Sequence, residues 1–194
     1  MPGRYLTEEA LQAYAHSTAV SDVAEYTAAI LTAEQQLDIA CQRRFEVAGN
    51  AAARTYRPHR GSNVLWLDDF VTLTSLVENG VTLVSGTDFV LEPLNNLTAA
   101  GETRPYDRAI RYSGNWYTDG PKTTVTVTAT FGWAAIPPGA VTACKVLAKA
   151  ILEGRDIRFG LAGFSEGGGV SEREAKSVRD FVRDYHSHSS WGIA

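Results

Sequence analysis

The hydrophobic period of this chain changes twice, and that restricts the folds open to it. Over residues 21–45, Val23, Tyr26, Ile30, Ala33, Leu37, Ala40, Cys41 and Phe45 recur at three- and four-residue steps, which places them on one face of a long helix. Over residues 54–133 the period drops to two. After Ile136-Pro137-Pro138-Gly139 it returns to helical, with Val141, Cys144, Leu147, Ala148 and Ile151 as the stripe and Gly154 as the stop. A β unit has therefore been set into a helical protein. The expected class is α+β: a bundle of N-terminal and C-terminal helices carrying an inserted small antiparallel β-sandwich or barrel. Residues 1–50 and 134–194 are assigned to the helical core and residues 51–133 to the β domain.

Within the β domain, strands are expected at 65–70, 71–77, 80–84 and 88–92, with turns at Glu78-Asn79-Gly80 and Ser85-Gly86-Thr87-Asp88. Residues 55–57 form a short strand ended by Pro58, and 109–112 a further one. In 123–131, Val125, Val127 and Ala129 alternate with Thr124, Thr126, Thr128 and Thr130, so one face packs and the other meets solvent. Two more helices complete the chain. One begins at Thr7 as N-cap with Glu8 and Glu9 in its first turn; the other spans 171–186 with Val178, Phe181, Val182 and Tyr185 as a narrow apolar face. Residues 187–194 read as a tail.

Charge and composition remove several classes of function. Of 22 acidic and 18 basic side chains, residues 61–135 hold eight and four, so the net charge of −4 resides in that middle stretch. That balance argues against a dedicated nucleic-acid binder. A hydrophobic content of 44% supports a real core, but no window approaches the roughly 18 apolar residues of a membrane span. The N-terminus lacks the apolar run of a signal peptide, and Cys41 and Cys144 fall in helical stripes as small buried thiols.

The residues offer no convincing catalyst. Gly163-Phe164-Ser165-Glu166-Gly167 fits the G-x-S-x-G pattern, and Asp180 or Asp184 and His186 or His188 follow in hydrolase order. The alternative function is thus a small serine hydrolase using Ser165. Its context disagrees: no buried strand precedes the serine, and a triple glycine follows. His186 and His188 lack further metal ligands, and Asp68-Asp69 reads more simply as a charged turn than as a cation site. Arg54, Arg57 and Arg60, interleaved with Tyr56 and His59, are a weak signal for a phosphate backbone. No catalytic, cofactor-binding or metal-binding residue is assigned. A ligand-binding β module is a further alternative.

What remains is apolar residues where solvent is expected. Phe159, Leu161 and Phe164 lie in a loop, Gly167, Gly168 and Gly169 form a hinge beside it, and Trp191 and Ile193 lie in the tail. Large side chains in such places point to a partner.

The order of short motifs resembles a known family. Ala40-Cys41-Gln42-Arg43-Arg44-Phe45 is followed by Tyr56-Arg57-Pro58, Leu65-Trp66-Leu67-Asp68-Asp69, Gly86-Thr87-Asp88-Phe89 and Leu91-Glu92-Pro93. Phe131-Gly132-Trp133, Ile136-Pro137-Pro138, Arg155-Asp156 and Phe159-Gly160 complete the series. Over about residues 5–165 this is similar to the head-tail connector (adaptor) proteins of long-tailed double-stranded DNA bacteriophages and related gene transfer particles. The resemblance implies a structural virion protein of the neck, assembled in the host cytoplasm as a ring, twelvefold in the family. It implies the portal protein and a stopper or tail-completion protein as partners, no cofactor, and DNA passing through the ring without sequence-specific binding. By the same analogy, the segment around Phe159 to Phe164 and the tail dock onto the portal, with the glycines as hinge.

Overall fold

The computed structural model describes residues 5–15, 23–97, 101–117, 124–153 and 172–187. Among the described residues the chain divides into two compact units, one within Met1–Glu46 and Ile136–Ser190 and the other within Val47–Ala135. The α+β class is as expected.

The first unit contains α1 (Glu8–Ala15), α2 (Val23–Cys41), α3 (Pro138–Leu152) and α4 (Glu172–Tyr185). Thr7 caps α1, its Oγ1 accepting the Ala10 N–H at 3.3 Å. α2 stops four residues short of the expected Phe45. Gln42 adopts a left-handed φ of 50°, its N–H donates to Ile39 O at 3.2 Å, and the Arg43 N–H donates to Asp38 O at 3.1 Å. This is a Schellman stop built without glycine, so Arg43 and Arg44 lie beyond the helix rather than in its last turn. The Ser187 N–H donates to Cys41 O at 2.8 Å, which fastens the end of α4 to the end of α2 and satisfies another terminal carbonyl.

α3 is the central helix. Ala140, Ala143, Cys144, Leu147, Ala148 and Ala150 are buried, and so many small residues let neighbouring helices approach closely. Tyr26, Ala29, Ile30, Ala33, Leu37 and Cys41 supply the inward face of α2. Two positions differ from the expected stripe. Val23 is 68% exposed, and Glu34 is buried, its Oε1 accepting the Tyr5 N–H at 2.7 Å. The carboxylate thus holds the chain ahead of α1 against α2. Phe45, beyond the helix, still reaches the core: its ring centroid lies 5.3 Å from Phe181 and 5.9 Å from Tyr185, and its N–H donates to the Tyr5 hydroxyl.

The second unit is one six-stranded antiparallel sheet in the order β1-β6-β2-β5-β4, with β3 paired to β2. The strands are β1 (Ala52–Tyr56), β2 (Val64–Glu78), β3 (Val81–Leu83), β4 (Phe89–Glu92), β5 (Tyr106–Arg111) and β6 (Val125–Phe131). The two strands expected at 65–70 and 71–77 are one strand. β2 runs for 15 residues, with register shifts between Trp66 and Phe70, Phe70 and Thr72, and Leu73 and Ser75. Each irregularity can flip the pleat, so the buried residues fall at Leu65, Leu67, Phe70 and Leu76 rather than in strict alternation. Bulging also bends a strand. Val64 at one end pairs with Ile110, while Glu78 at the other bonds Arg111, so both ends of β2 reach the same end of β5.

Among the described residues the sheet is not closed, which corrects the barrel expectation. Side chains join what the ladders leave apart. Glu78, 5% exposed, pairs with the Arg111 guanidinium through Oε2 and accepts the Tyr117 N–H at 2.7 Å through Oε1. Asp68 accepts from Arg54 at 2.7 Å and from the Tyr56 hydroxyl at 2.8 Å, tying β1 to the first half of β2. Inside, Leu65, Phe70, Leu76, Phe89, Trp116, Val127 and Phe131 belong to one apolar core. The chain enters and leaves this unit side by side, with a bridge between Val47 and Trp133 and the Ala48 N–H donating to Trp133 O at 2.8 Å.

Candidate assembly surfaces

The described carboxylates that sequence patterns suggest for chemistry, and Arg54 beside them, are engaged in structural bonds. Asp69 accepts the Trp133 indole N–H at 3.1 Å, while its neighbour Asp68 is held by Arg54 and Tyr56. Burial pulls the Arg54 pKa down, but the Asp68 carboxylate and Tyr56 outweigh it and leave it raised. Burial, then the Asp68 charge, pushes the Tyr56 phenol up as well. Asp180 pairs with Lys176 and Arg183 along α4, and Asp184 with Arg183. Among the described residues no group of three or more His, Cys, Asp or Glu side chains could hold a metal ion. Cys41 is buried, and burial pushes its thiol up to about 12, away from nucleophilic use.

Phe159, Leu161, Phe164, Gly167, Gly168, Gly169, Trp191 and Ile193 lie outside the described residues, as do Ser165 and His188. Residues 154–171 and 188–194 bracket α4. That helix is strongly two-faced: Ala175, Val178 and Phe181 are buried, while Arg173, Lys176, Arg179, Arg183 and Asp184 face solvent. Its first turn is held through the hydroxyl of Tyr14, which donates to Glu174 Oε1 at 2.6 Å. Burial first, then the bond and charge of Glu174, raises the Tyr14 phenol to about 12.

A second surface was not anticipated. On the solvent side of α2, Ala24, Ala28, Leu31, Gln35 and Ile39 are exposed, Leu31 at 46% and Ile39 at 68%. Their mean spacing is close to the helical repeat, so they form a straight seam roughly 23 Å long, at 1.5 Å per residue. No charge interrupts it. A helix apolar on both sides is normally covered on both sides. The absence of Lys, Arg, Asp and Glu at these five positions is a signal that the sequence carries.

This fold has known counterparts. It is shared with a chain of a gene transfer agent neck. That chain, from the neck of an empty gene transfer agent (GTA) particle computed with C6 symmetry, has 16% identity and a TM-score of 0.54, covering 98% of this chain and 94% of that one. A chain from the virion of the native GTA particle has 16% identity and a TM-score of 0.53, covering 99% and 94%. No protein-family model and no curated protein matches the sequence. At this identity the likeness establishes the fold, and it does so over nearly the whole path of the chain, with both units included.

Within that fold Asp68, Asp69, Glu78, Asp180 and Asp184 hold structure together, while apolar side chains on α2 are presented outward. No helix among the described residues is long and apolar enough to cross a membrane. Such a surface suits binding by shape more than bond-making.

Proposed function

We propose that this protein is a structural head-tail connector, or adaptor, of a tailed phage or gene transfer particle. It forms a ring in the neck beneath the portal and joins the DNA-filled head to the stopper or tail. The observation that carries the reading is the end-to-end match in fold to chains of a GTA neck and virion. The engagement of the described Asp68, Asp69, Asp180 and Asp184 in structural bonds supports a protein without catalytic activity. Assembly takes place in the host cytoplasm, and DNA passes through the ring without sequence-specific binding.

A ring needs heterologous contacts, in which one face of each copy meets a different face of the next. The uncharged seam of α2 is one such face, and its partner is a neighbouring copy. Covering what remains exposed of Leu31 and Ile39 there contributes about 1–2 kcal/mol each. The portal and the stopper take the two ends of the ring, with the segment around Phe159 to Phe164 and the tail carrying Trp191 and Ile193 as the portal-binding parts.

Deleting the gene from the particle-producing cell tests the reading. The expected products are DNA-filled heads and free tails that do not join, with joining restored by the wild-type gene. Normally joined particles from the deletion strain overturn it. Complementation with Leu31→Lys and Ile39→Lys, which leave the core untouched, tests the seam: soluble protein with a wild-type melt and no neck density is expected. Full neck occupancy by that variant rules the seam out as a ring contact.

A further inference from the structure

The seam of α2 requires a receiving face on the neighbouring copy, and a heterologous contact puts that face elsewhere on the chain. To match the seam it must be exposed, apolar and free of charge. One end of the β unit meets these conditions. β2 stops there at Glu78, β3 starts at Val81 and β5 stops at Arg111. Around them Val81, Val84, Tyr112 and Tyr117 are exposed, Val81 at 61% and Tyr112 at 59%. Neither 79–87 nor 112–117 contains a charged residue, on a chain where 21% of residues are charged. The two charges beneath, Glu78 and Arg111, are paired with each other and largely buried.

This end is fixed before anything docks on it. Asn79 and Gly80 turn the β2–β3 hairpin with φ of 48° and 79°, both left-handed as the favoured two-residue hairpin requires. Val84 opens a turn closed by the Asp88 N–H on Val84 O and the Gly86 N–H on Phe89 O, each at 2.8 Å. The Asp88 carboxylate, at the margin, accepts the Val84 N–H at 2.7 Å. The Tyr112 N–H donates to Asp88 O at 3.1 Å and the Tyr117 N–H to Glu78 Oε1 at 2.7 Å, so both tyrosines are anchored by their backbone. Ordering such a surface on a partner costs little, and tyrosine offers wide contact area for the loss of two torsions. A phenol can also bond the amide of Gln35, the polar side chain of the seam. Leu94 and Leu97 are exposed as well, but Glu92, Glu102 and Arg104 flank them in sequence.

We propose that this end of the β unit is the surface that receives the α2 seam of the neighbouring copy, with Leu31 and Ile39 packing on Val81, Val84, Tyr112 and Tyr117. The inference rests on the connector reading and supplies the second half of its ring contact. Helical unit meets β unit, so the contact is heterologous, as a ring needs. Each bare surface is a cost to a lone copy, and each removes the cost of the other.

The test is photo-crosslinking in assembled particles, with Tyr112 or, separately, Tyr117 replaced by p-benzoylphenylalanine, which keeps an aromatic ring at the site. After irradiation, a product with the mass of two copies is expected, and peptide mapping should place the adduct within residues 24–39. The same replacement at Leu94 should give no adduct with α2. Leu31→Lys with Ile39→Lys in the unmodified copy of a mixed population should abolish the product between the two kinds of chain. Three results overturn the proposal: adducts on the portal or a tail protein, adducts on another part of this chain, or no adduct in particles that contain the protein. All three leave the connector reading standing, because the protein is then in the neck but contacts its neighbour elsewhere. Particles that join normally without the protein sink the connector reading itself.

Discussion

Gly139 sits in the first turn of α3, where Phe181 of α4 lies directly over it. A Cβ built on Gly139 would meet Phe181 Cδ2 at 2.6 Å and Cε2 at 2.9 Å, against the roughly 3.5–4.0 Å of a comfortable carbon contact. The ring has nowhere to retreat. It is stacked on Tyr185, with centroids 4.4 Å apart, and hemmed by Phe45 at 5.3 Å. Gly139→Ala therefore sets two effects against each other. Alanine favours the helix by up to about 1 kcal/mol, while overpacking costs about 1–3 kcal/mol. Since the obstacle is the body of a ring and not a flexible chain end, overpacking should win, for a net loss near 1–2 kcal/mol. For a unit of this size that lowers the midpoint of thermal unfolding by roughly 4 °C or more. The loss should concentrate in α4, so hydrogen exchange of residues 172–187 should accelerate more than that of α2. Adding Phe181→Leu should recover part of it. If Gly139→Ala melts at or above the wild-type temperature with α4 equally protected, the ring is not confined as described, and the account of how α4 is anchored fails.

Other predictions follow from the polar joints. Glu78→Ala leaves the Arg111 guanidinium without its buried carboxylate and should cost about 3–5 kcal/mol in urea unfolding of the β unit; a loss under about 1 kcal/mol would mean that the pair does not hold the sheet. Tyr14 has a folded pKa raised to about 12 from an ordinary value near 10, so its contribution is complete below pH 10 and is lost as pH rises through 12. Tyr14→Phe should accordingly flatten the decline in stability between those values, and an unchanged alkaline slope would show that the phenol is not coupled to folding. Removing residues 188–194 should leave the melting temperature unchanged while weakening attachment to portal particles in co-sedimentation. Extending the truncation through Ser187, which is buried and bonds Cys41 O, should lower stability as well.

The parts of this fold legible in sequence are those where one physical rule acts alone. β6 is the clearest case: Val125, Val127 and Ala129 are buried and Thr126, Thr128 and Thr130 half-buried, as strict alternation requires. α3 followed from its proline start and apolar stripe. β2 was not legible as one strand, because bulges shift the pleat and because the pair Asp68-Asp69 reads as a turn, when the two are in fact held by Tyr56 of β1 and by Trp133 just past β6. The end of α2 was missed for a related reason. Its left-handed stop uses Gln42, and sequence signals for that conformation are tuned to glycine and asparagine.

The surface of α2 teaches something different. Its inward stripe dominates a reading that asks which residues are apolar, and Leu31 and Ile39 then pass as ordinary exposed side chains. Asking where charge is missing gives the second face at once. Ala24, Ala28, Leu31, Gln35 and Ile39 remain uncharged on a chain where 21% of residues are charged. The outward face of α4, in contrast, carries Arg173, Lys176, Arg179 and Arg183. One helix is dressed for water and the other is not, although both lie in the same unit. Solubility of a lone copy favours charge on both, so the bare seam is a cost to the monomer. It is compensated only where another surface covers it. The proposed ring supplies that surface, which is why the seam variant discriminates more sharply than any core substitution: it should spare the fold and remove the assembly.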